Sequence, residues 1–542
     1  MTVRKIILYI VLFLIIPTIS WAKSIRQHQI FFPDFGGLNT TISPLVLEPK
    51  SLITATNVLY DQVGTRQKRG GITKISSASL GESSGVYGIF DFRKIATNGA
   101  ETRKLIAYHN NHIYKMDALD TQWDDITSSE LSSTKPIDYA VLRKATTTVD
   151  TVIMVNGENT PQVWDQDSAT VSDLTGTPDG VDFYPSMIEA HKNRLWAAGV
   201  PSYPYRVFFS AINKHDDWNT AEDAGYIDVI DSWGSKITGL VSYFGYLIVF
   251  TENSVHRISG SSYDDFAVTP LIQNIGSVNN SGILAVGNDL FFVSSKGIHS
   301  LSTTQEYGDV KSAYISAPIQ TDFNGLDFSE IDKCAAAVYS PLNYAIWSFT
   351  SSGENYNDVC YVYDYIGKRW SKWTGINAAS LATIQDANNK ETLVAGDYNG
   401  YINKLNQTTY DDNGVVYTMD WATPLIYFGD PMIDKHFRSI IVYLQTQDDP
   451  STTGDMKLYY RITNQPSDTI QFSQFAGSGS TYDEFVMDAD ILGAATLISQ
   501  TFNITGHGKT LQLEFIHETS GSGSQIFGYG VEYEAEDMDY SH

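Results

Sequence analysis

Cysteine is nearly missing from this chain, with two in 542 residues. A disulfide framework is therefore excluded, and only one bridge, between Cys334 and Cys360, could form. Both fall in apolar runs, KCAAAVY and VCYVYDY, where two buried free thiols fit equally well. Basic residues are also scarce: 36 Lys and Arg stand against 62 Asp and Glu, for a net charge of −26. Wrapping nucleic acid needs clustered cations that release counterions from phosphate, so that class is excluded. Sliding of DNA through an acidic passage is not excluded, because an acidic wall repels phosphate and does not hold it. The same acids would keep a large assembly soluble.

Long hydrophobic runs are absent beyond the first residues. Arg4 and Lys5 precede an unbroken apolar stretch, Ile6–Ile16, and Pro17–Ala22 ends in small residues. A run of about 11 residues is short for a bilayer span and fits a cleaved signal peptide better than a retained anchor. Cleavage after Ala22 would remove two bases and take the net charge from −26 to −28. The mature chain would then have no stable membrane association.

What is present in excess is aromatic and β-branched sequence, including 33 Tyr and 10 Trp. Ile237–Gly260 contains three short apolar runs separated by turns at Phe244–Gly245 and around Glu252–Ser254. Ile283–Leu301 repeats the plan, with turns at Gly287–Asp289 and Ser295–Gly297. Runs of about four residues bounded by Gly, Asn, Asp and Ser are strands of a meander. Similar units can be followed from about Val86 to Leu405. One core position in the third strand of each (Ile113, Val163, Val207, Val255, Ile298, Val362, Ile402) gives steps of roughly 40 to 64 residues. Propeller blades recur at about 40–50 residues, and the long step fits an insertion around Gln305–Glu330. The chain is therefore expected to be all-β, with a β-propeller of about seven blades, six or eight also being compatible. A Trp or Tyr after an Asp at several strand ends would pack between blades.

Before the propeller, FGGLNTTISPLVLEPKSLITATNVLYDQVGTRQKRGG is punctuated by Gly–Gly, Ser–Pro and Glu–Pro and reads as an extended arm. After Leu405 longer alternating runs, Val415–Ile426, Phe437–Thr446, Leu497–Ile504, Thr510–His517 and Gln525–Glu534 among them, read as a β-sandwich. The expected organisation is a signal-like segment (1–22), an arm (23–83), a propeller (84–410) and a sandwich (411–542).

The ordered set Gly36, Gly37, Leu38, Asn39, Ser43, Pro44, Asn57, Gly64, Lys68, Arg69 and Gly70 resembles the opening of the β-propeller tail proteins of tailed bacteriophages. These are proteins of the tail nozzle, tail hub or packaged-DNA stabilisation type. The closing pattern, Gly506, Gly508, Lys509 and Gln512, then Gly528 and Tyr533, resembles their C-terminal sandwich. The resemblance implies a virion structural subunit without catalysis, forming a homo-oligomeric ring, expected to be a hexamer, with portal, adaptor and other tail proteins as partners. The packaged genome would wait in its acidic channel and pass without specific binding. Gly36, Gly37, Asn39, Arg66, Lys68 and Arg69 are the residues expected to make subunit contacts. The signal-like start points the other way, to an exported bacterial propeller that binds glycans or proteins at the cell surface.

No motif supplies chemistry, and the expectation is no catalytic residue, no cofactor and no metal. Gly81-Glu-Ser83-Ser-Gly85 matches a nucleophile elbow, but no helix follows it. Gly508-Lys509-Thr510 matches only the end of a phosphate loop and leads into a strand. The 11 His show no metal spacing, and the acid pairs Asp216–Asp217, Asp264–Asp265 and Asp411–Asp412 lie in turns that do not complete a calcium loop.

Overall fold

In the computed structural model, the structure describes residues 27–535 apart from 34, 61–64, 82–83, 97, 118–121, 132–134, 145–149, 302–313, 387, 446–454 and 474–496. Met1–Ala22 and Ser83 thus lie outside the described residues.

Each repeat seen in the sequence folds as an antiparallel meander. In the fourth, Ile237–Tyr243, Tyr246–Thr251, Ser254–Ser259 and Ala267–Gln273 pair in chain order. Tyr243 faces Tyr246, leaving Phe244 and Gly245 as a two-residue turn, and both have positive φ, 47° and 76°. That backbone matches the right-handed twist of the strands, which explains an aromatic residue in a left-handed conformation.

Seven such sheets follow one another. Blades 1 to 4 begin with the inner strands Val86–Ile95, Asp138–Arg143, Met187–His191 and Ile237–Tyr243. Among the described residues blade 5 has three strands, Leu284–Val286, Asp289–Ser294 and Gly297–Ser300. Blades 6 and 7 begin at Ala335–Tyr339 and Ser380–Gln385. The sequence reading missed the inner strands of blades 2 and 3 and the outer strands of blades 1, 2, 4 and 6.

Separate apolar clusters fill successive blade interfaces, as radial stacking requires. Phe92, Ile106 and Trp164 lie between blades 1 and 2. Trp196, Phe209 and Val249 lie between blades 3 and 4, and Phe250 and Phe292 between blades 4 and 5. Val86, Ala107 and Val394 join blade 7 to blade 1. The expected inter-blade role holds for Trp164, Trp218, Trp370 and Trp373, all buried.

The arm departs from expectation. It is not only extended chain with turns but supplies strands to three sheets. Gly71–Lys74 pairs with Ile402–Gln407 and becomes the fourth strand of blade 7, closing the ring. A Cβ on Gly71 would lie 2.0 Å from the Asp411 carbonyl oxygen, so only glycine permits this approach. Thr54–Thr56 inserts between the outer strand of blade 6, Arg369–Thr374, and the sandwich strand Met419–Ala422. Nine strands therefore run without a break from propeller to sandwich. Gln27–Phe32 and Arg66–Lys68 both pair with Gln525–Ala535 in the second sandwich sheet.

Candidate functional site

Two regions concentrate polar side chains inside this fold: the seam where the arm joins propeller to sandwich, and the mouth of the propeller channel.

At the seam the chain turns its basic triplet inward. Arg66, Lys68 and Arg69 are 1%, 0% and 1% exposed. The Arg66 guanidinium lies 3.6 Å from the ring centre of Phe35 and 4.1 Å from that of Trp421. The Lys68 ammonium donates to the Thr519 carbonyl at 2.8 Å, and burial, aided by the Arg69 charge, pushes its pKa down to about 8. Arg69 uses all five of its donors. Nε donates to Asn57 Oδ1 (2.9 Å), Nη1 to the Gly70 carbonyl and Asp412 Oδ1, and Nη2 to the Thr374 carbonyl and Asp412 Oδ2. Asn57, at φ 56°, is the other half of this hub: its side-chain amide also donates to Thr374 Oγ1 and the Thr418 carbonyl.

Gly36, Gly37 and Asn39 are equally internal in their contacts. A Cβ on Gly37 would sit 2.5 Å from the Trp370 amide nitrogen, and Leu38 N–H donates to the Trp370 carbonyl at 2.8 Å. Gly36 N–H donates to the Lys50 carbonyl at 2.6 Å. Asn39 Oδ1 accepts from the amides of Thr41 and Ile42, a local turn bond. The expectation of subunit contacts is corrected for the three basic residues. Direct contact with a neighbour needs exposed atoms, and these three charged groups are buried within one chain, Arg69 against Asp412, Arg66 against Phe35 and Trp421, and Lys68 against the Thr519 carbonyl.

The channel mouth was not legible as a site. Its inner strands present free edges toward the axis, and side chains from adjacent blades satisfy them. Asp138 Oδ2 accepts from Ile188 N–H (2.9 Å) and from Asn280 Nδ2 (3.0 Å), while Asn280 Oδ1 accepts from Leu240 N–H (3.0 Å). One Asn–Asp pair thus ties blades 2, 3 and 4 to the entry of blade 5. Glu189 accepts from Ser242 N–H and Asp91 from Gln385 N–H. Ser380 Oγ donates to the Val86 carbonyl at 2.6 Å, across the closure from blade 7 to blade 1. Burial pushes Asp138 up to about 7. Burial first, then the charge of Asp138, pushes Glu189 up to about 8. These acids act as staples between blades.

Above the staples lies a cavity of about 410 Å³ lined by residues of blades 2 to 4 and the entries to blades 5 and 6, including Ser186, Thr238 and Ser281. Its volume is that of a small-ligand site.

No other motif assembles a reaction centre. Gly508-Lys509-Thr510 forms the turn between Leu497–Gly508 and Leu511–His517, where Thr510 bonds Thr463. Asp217 and Asp265 cap their own turns, and Asp412 is paired with Arg69. Among the described residues no group of three or more His, Cys, Asp or Glu could hold a metal ion, and no helix is long and apolar enough to cross a membrane. Cys334 and Cys360 are free and buried.

No protein-family model and no curated protein matches the chain. Solved structures do. The chain is similar to the WD40 β-propeller domain of Doa1 at 8% identity and TM-score 0.38, over 62% of this chain and 97% of that one. It is similar to the extracellular domain of the hybrid two-component system BT4673 of B. thetaiotaomicron at 10% identity and TM-score 0.32, over 75% of this chain but only 43% of that one. A third similar structure is BBS1N in complex with ARL6DN, at 11% identity and TM-score 0.27, over 59% and 77%.

Proposed function

We propose that this β-propeller protein is a non-enzymatic structural subunit of a tailed-phage tail, acting as part of a nozzle or hub ring. The observation that supports this reading is the continuous sheet from blade 6 through Thr54–Thr56 into the sandwich, locked by the Arg69–Asn57–Asp412 hub. A sheet that continues from one unit into the next resists hinge motion, and a conduit under pressure needs such stiffness. The family resemblance of the arm and the closing sandwich supplies the assembly: copies of this chain in a ring, docked to portal, adaptor and other tail proteins. The net charge of −26 suits a passage that DNA crosses without sticking.

The test is the mass of the chain from residue 23 onward by light scattering, followed by negative-stain imaging. Rings near six subunits with a central hole are the expected result. A protein that stays monomeric alone and in the presence of a portal–adaptor complex overturns the reading.

A further inference from the structure

A pocket of about 310 Å³ opens between the outer edge of blade 3 and the outer half of blade 4, away from both regions described above. Its floor is a fixed polar relay. Asp231 Oδ1 accepts from the amides of Trp233 (3.0 Å) and Ser235 (2.9 Å), and Oδ2 from the hydroxyls of Thr251 (3.0 Å) and Ser254 (3.1 Å). The Ser254 hydroxyl is also hydrogen-bonded to His256 Nε2 at 2.8 Å, with donor and acceptor set by the imidazole tautomer. His256 is buried, and its Nδ1 has no hydrogen-bond partner among the described residues. Burial also holds its pKa below the ordinary histidine value, so the ring is neutral. The bland reading of this relay is a brace for the blade 3–4 connection, and it fulfils that role.

The brace does not account for the rim. Trp233 and Ile230 are 65% and 67% exposed beside the opening, on the connector that Asp231 holds in place. Gln273, Asn274 and Ser232 complete the lining, and their side chains make no hydrogen bond among the described residues. An exposed indole on a fixed loop next to unengaged amides is a binding arrangement: one apolar face, several neutral donors and acceptors.

The charges define the ligand class. No Lys or Arg lines the pocket, so phosphate and carboxylate ligands have no counter-charge. Its two acids are already engaged, Asp231 by four donors and Asp228 by the bidentate fork of Arg206 at 2.7 and 3.1 Å, which leaves no open carboxylate for a cation. What remains fits a neutral ring with hydroxyls at its edge and C–H groups on its face. We propose that this pocket binds a saccharide, one pyranose stacking on Trp233 with its hydroxyls bonded to Gln273, Asn274 and Ser232. The site would serve a tail subunit contacting a host glycan or an exported propeller alike, so it stands or falls separately from the ring.

Saturation-transfer NMR and calorimetry on the full chain test it, with glucose, galactose, mannose and N-acetylglucosamine as free sugars and purified bacterial polysaccharides as polymer probes. We expect at least one probe to bind, and Trp233→Ala and Gln273→Ala each to weaken it by about tenfold or more. Binding of a free sugar assigns recognition to a single ring, and binding of polymer alone assigns it to a chain; both support the site. Absence of binding across both sets overturns the proposal, as does binding that survives both substitutions. Both side chains are solvent-facing, and an unchanged melting temperature confirms that the variants fold.

Discussion

Arg69 and Asp412 form a two-pronged ion pair, 2.9 and 2.5 Å, between the arm and the first turn after the propeller. The arginine is 1% exposed and sits over Tyr417, its guanidinium 3.8 Å from the ring centre. Burial raises the pKa of Asp412 and its hydrogen bonds and ion pair with Arg69 lower it, with a net raise. Partners 343 residues apart thus meet in one hub with every guanidinium proton used.

Removing one side of this pair should cost more than the pair contributes, because the other charge stays buried. Arg69→Met is expected to lower unfolding free energy by about 3–5 kcal/mol in urea titration. Arg69→Lys should recover little, since an ammonium cannot reproduce five directed donors. Equal stability of Arg69→Lys and wild type would refute the role assigned to the fork.

Closure of the ring depends on Gly71. In Gly71→Ala the added methyl meets the Asp411 carbonyl at 2.0 Å, so the Gly71–Lys74 strand should detach from Ile402–Gln407. Hydrogen exchange should show lost protection at Ile402–Gln407 while the sandwich strand Lys435–Gln445 keeps its own. Unchanged exchange at both would mean that the blade tolerates the shift.

The pH profile of stability has two limbs of opposite sign. Asp138, Glu189 and Asp420 are pushed up by burial to about 7, 8 and 7, so folded protein holds protons that unfolded protein releases. Their stabilisation is complete below about pH 4 and drains as pH rises through 7 to 8. His191, His299 and His517 are pushed down by burial to about 4, 3 and 3, so unfolding takes up protons and stability falls as pH drops below about 6.5. Between about pH 4 and 6.5 the two sets offset each other, so the melting temperature should be level there and fall on either side. Glu189→Gln should make the alkaline limb shallower, with Asp138 and Asp420 carrying the rest, and leave the acid limb unchanged; an alkaline limb that keeps its full slope would place its cause elsewhere.

Both thiols should be silent in the folded protein. Burial pushes Cys334 and Cys360 up to about 12, and neither is paired. A thiol reagent should find no reactive group under native conditions and two after denaturation. A reducing agent should leave the melting temperature unchanged.

Short apolar runs of about four residues bounded by Gly, Asn, Asp and Ser marked the blade strands, because a strand buried on both faces is apolar throughout and its turns are local. The turns of Ile237–Gly260 and Ile283–Leu301 could be read for the same reason, and with them the blade spacing and the count near seven. What lay beyond reach was pairing between distant segments. Nothing near Gly71–Lys74 marks it as the last strand of blade 7, since its partner lies more than 300 residues on. The basic triplet illustrates the same limit: Arg66, Lys68 and Arg69 look like a solvated loop until Phe35, Trp421 and Tyr417 cover them and Asp412 pairs with Arg69. Charge burial depends on partners that only the closed ring and its docked sandwich bring together.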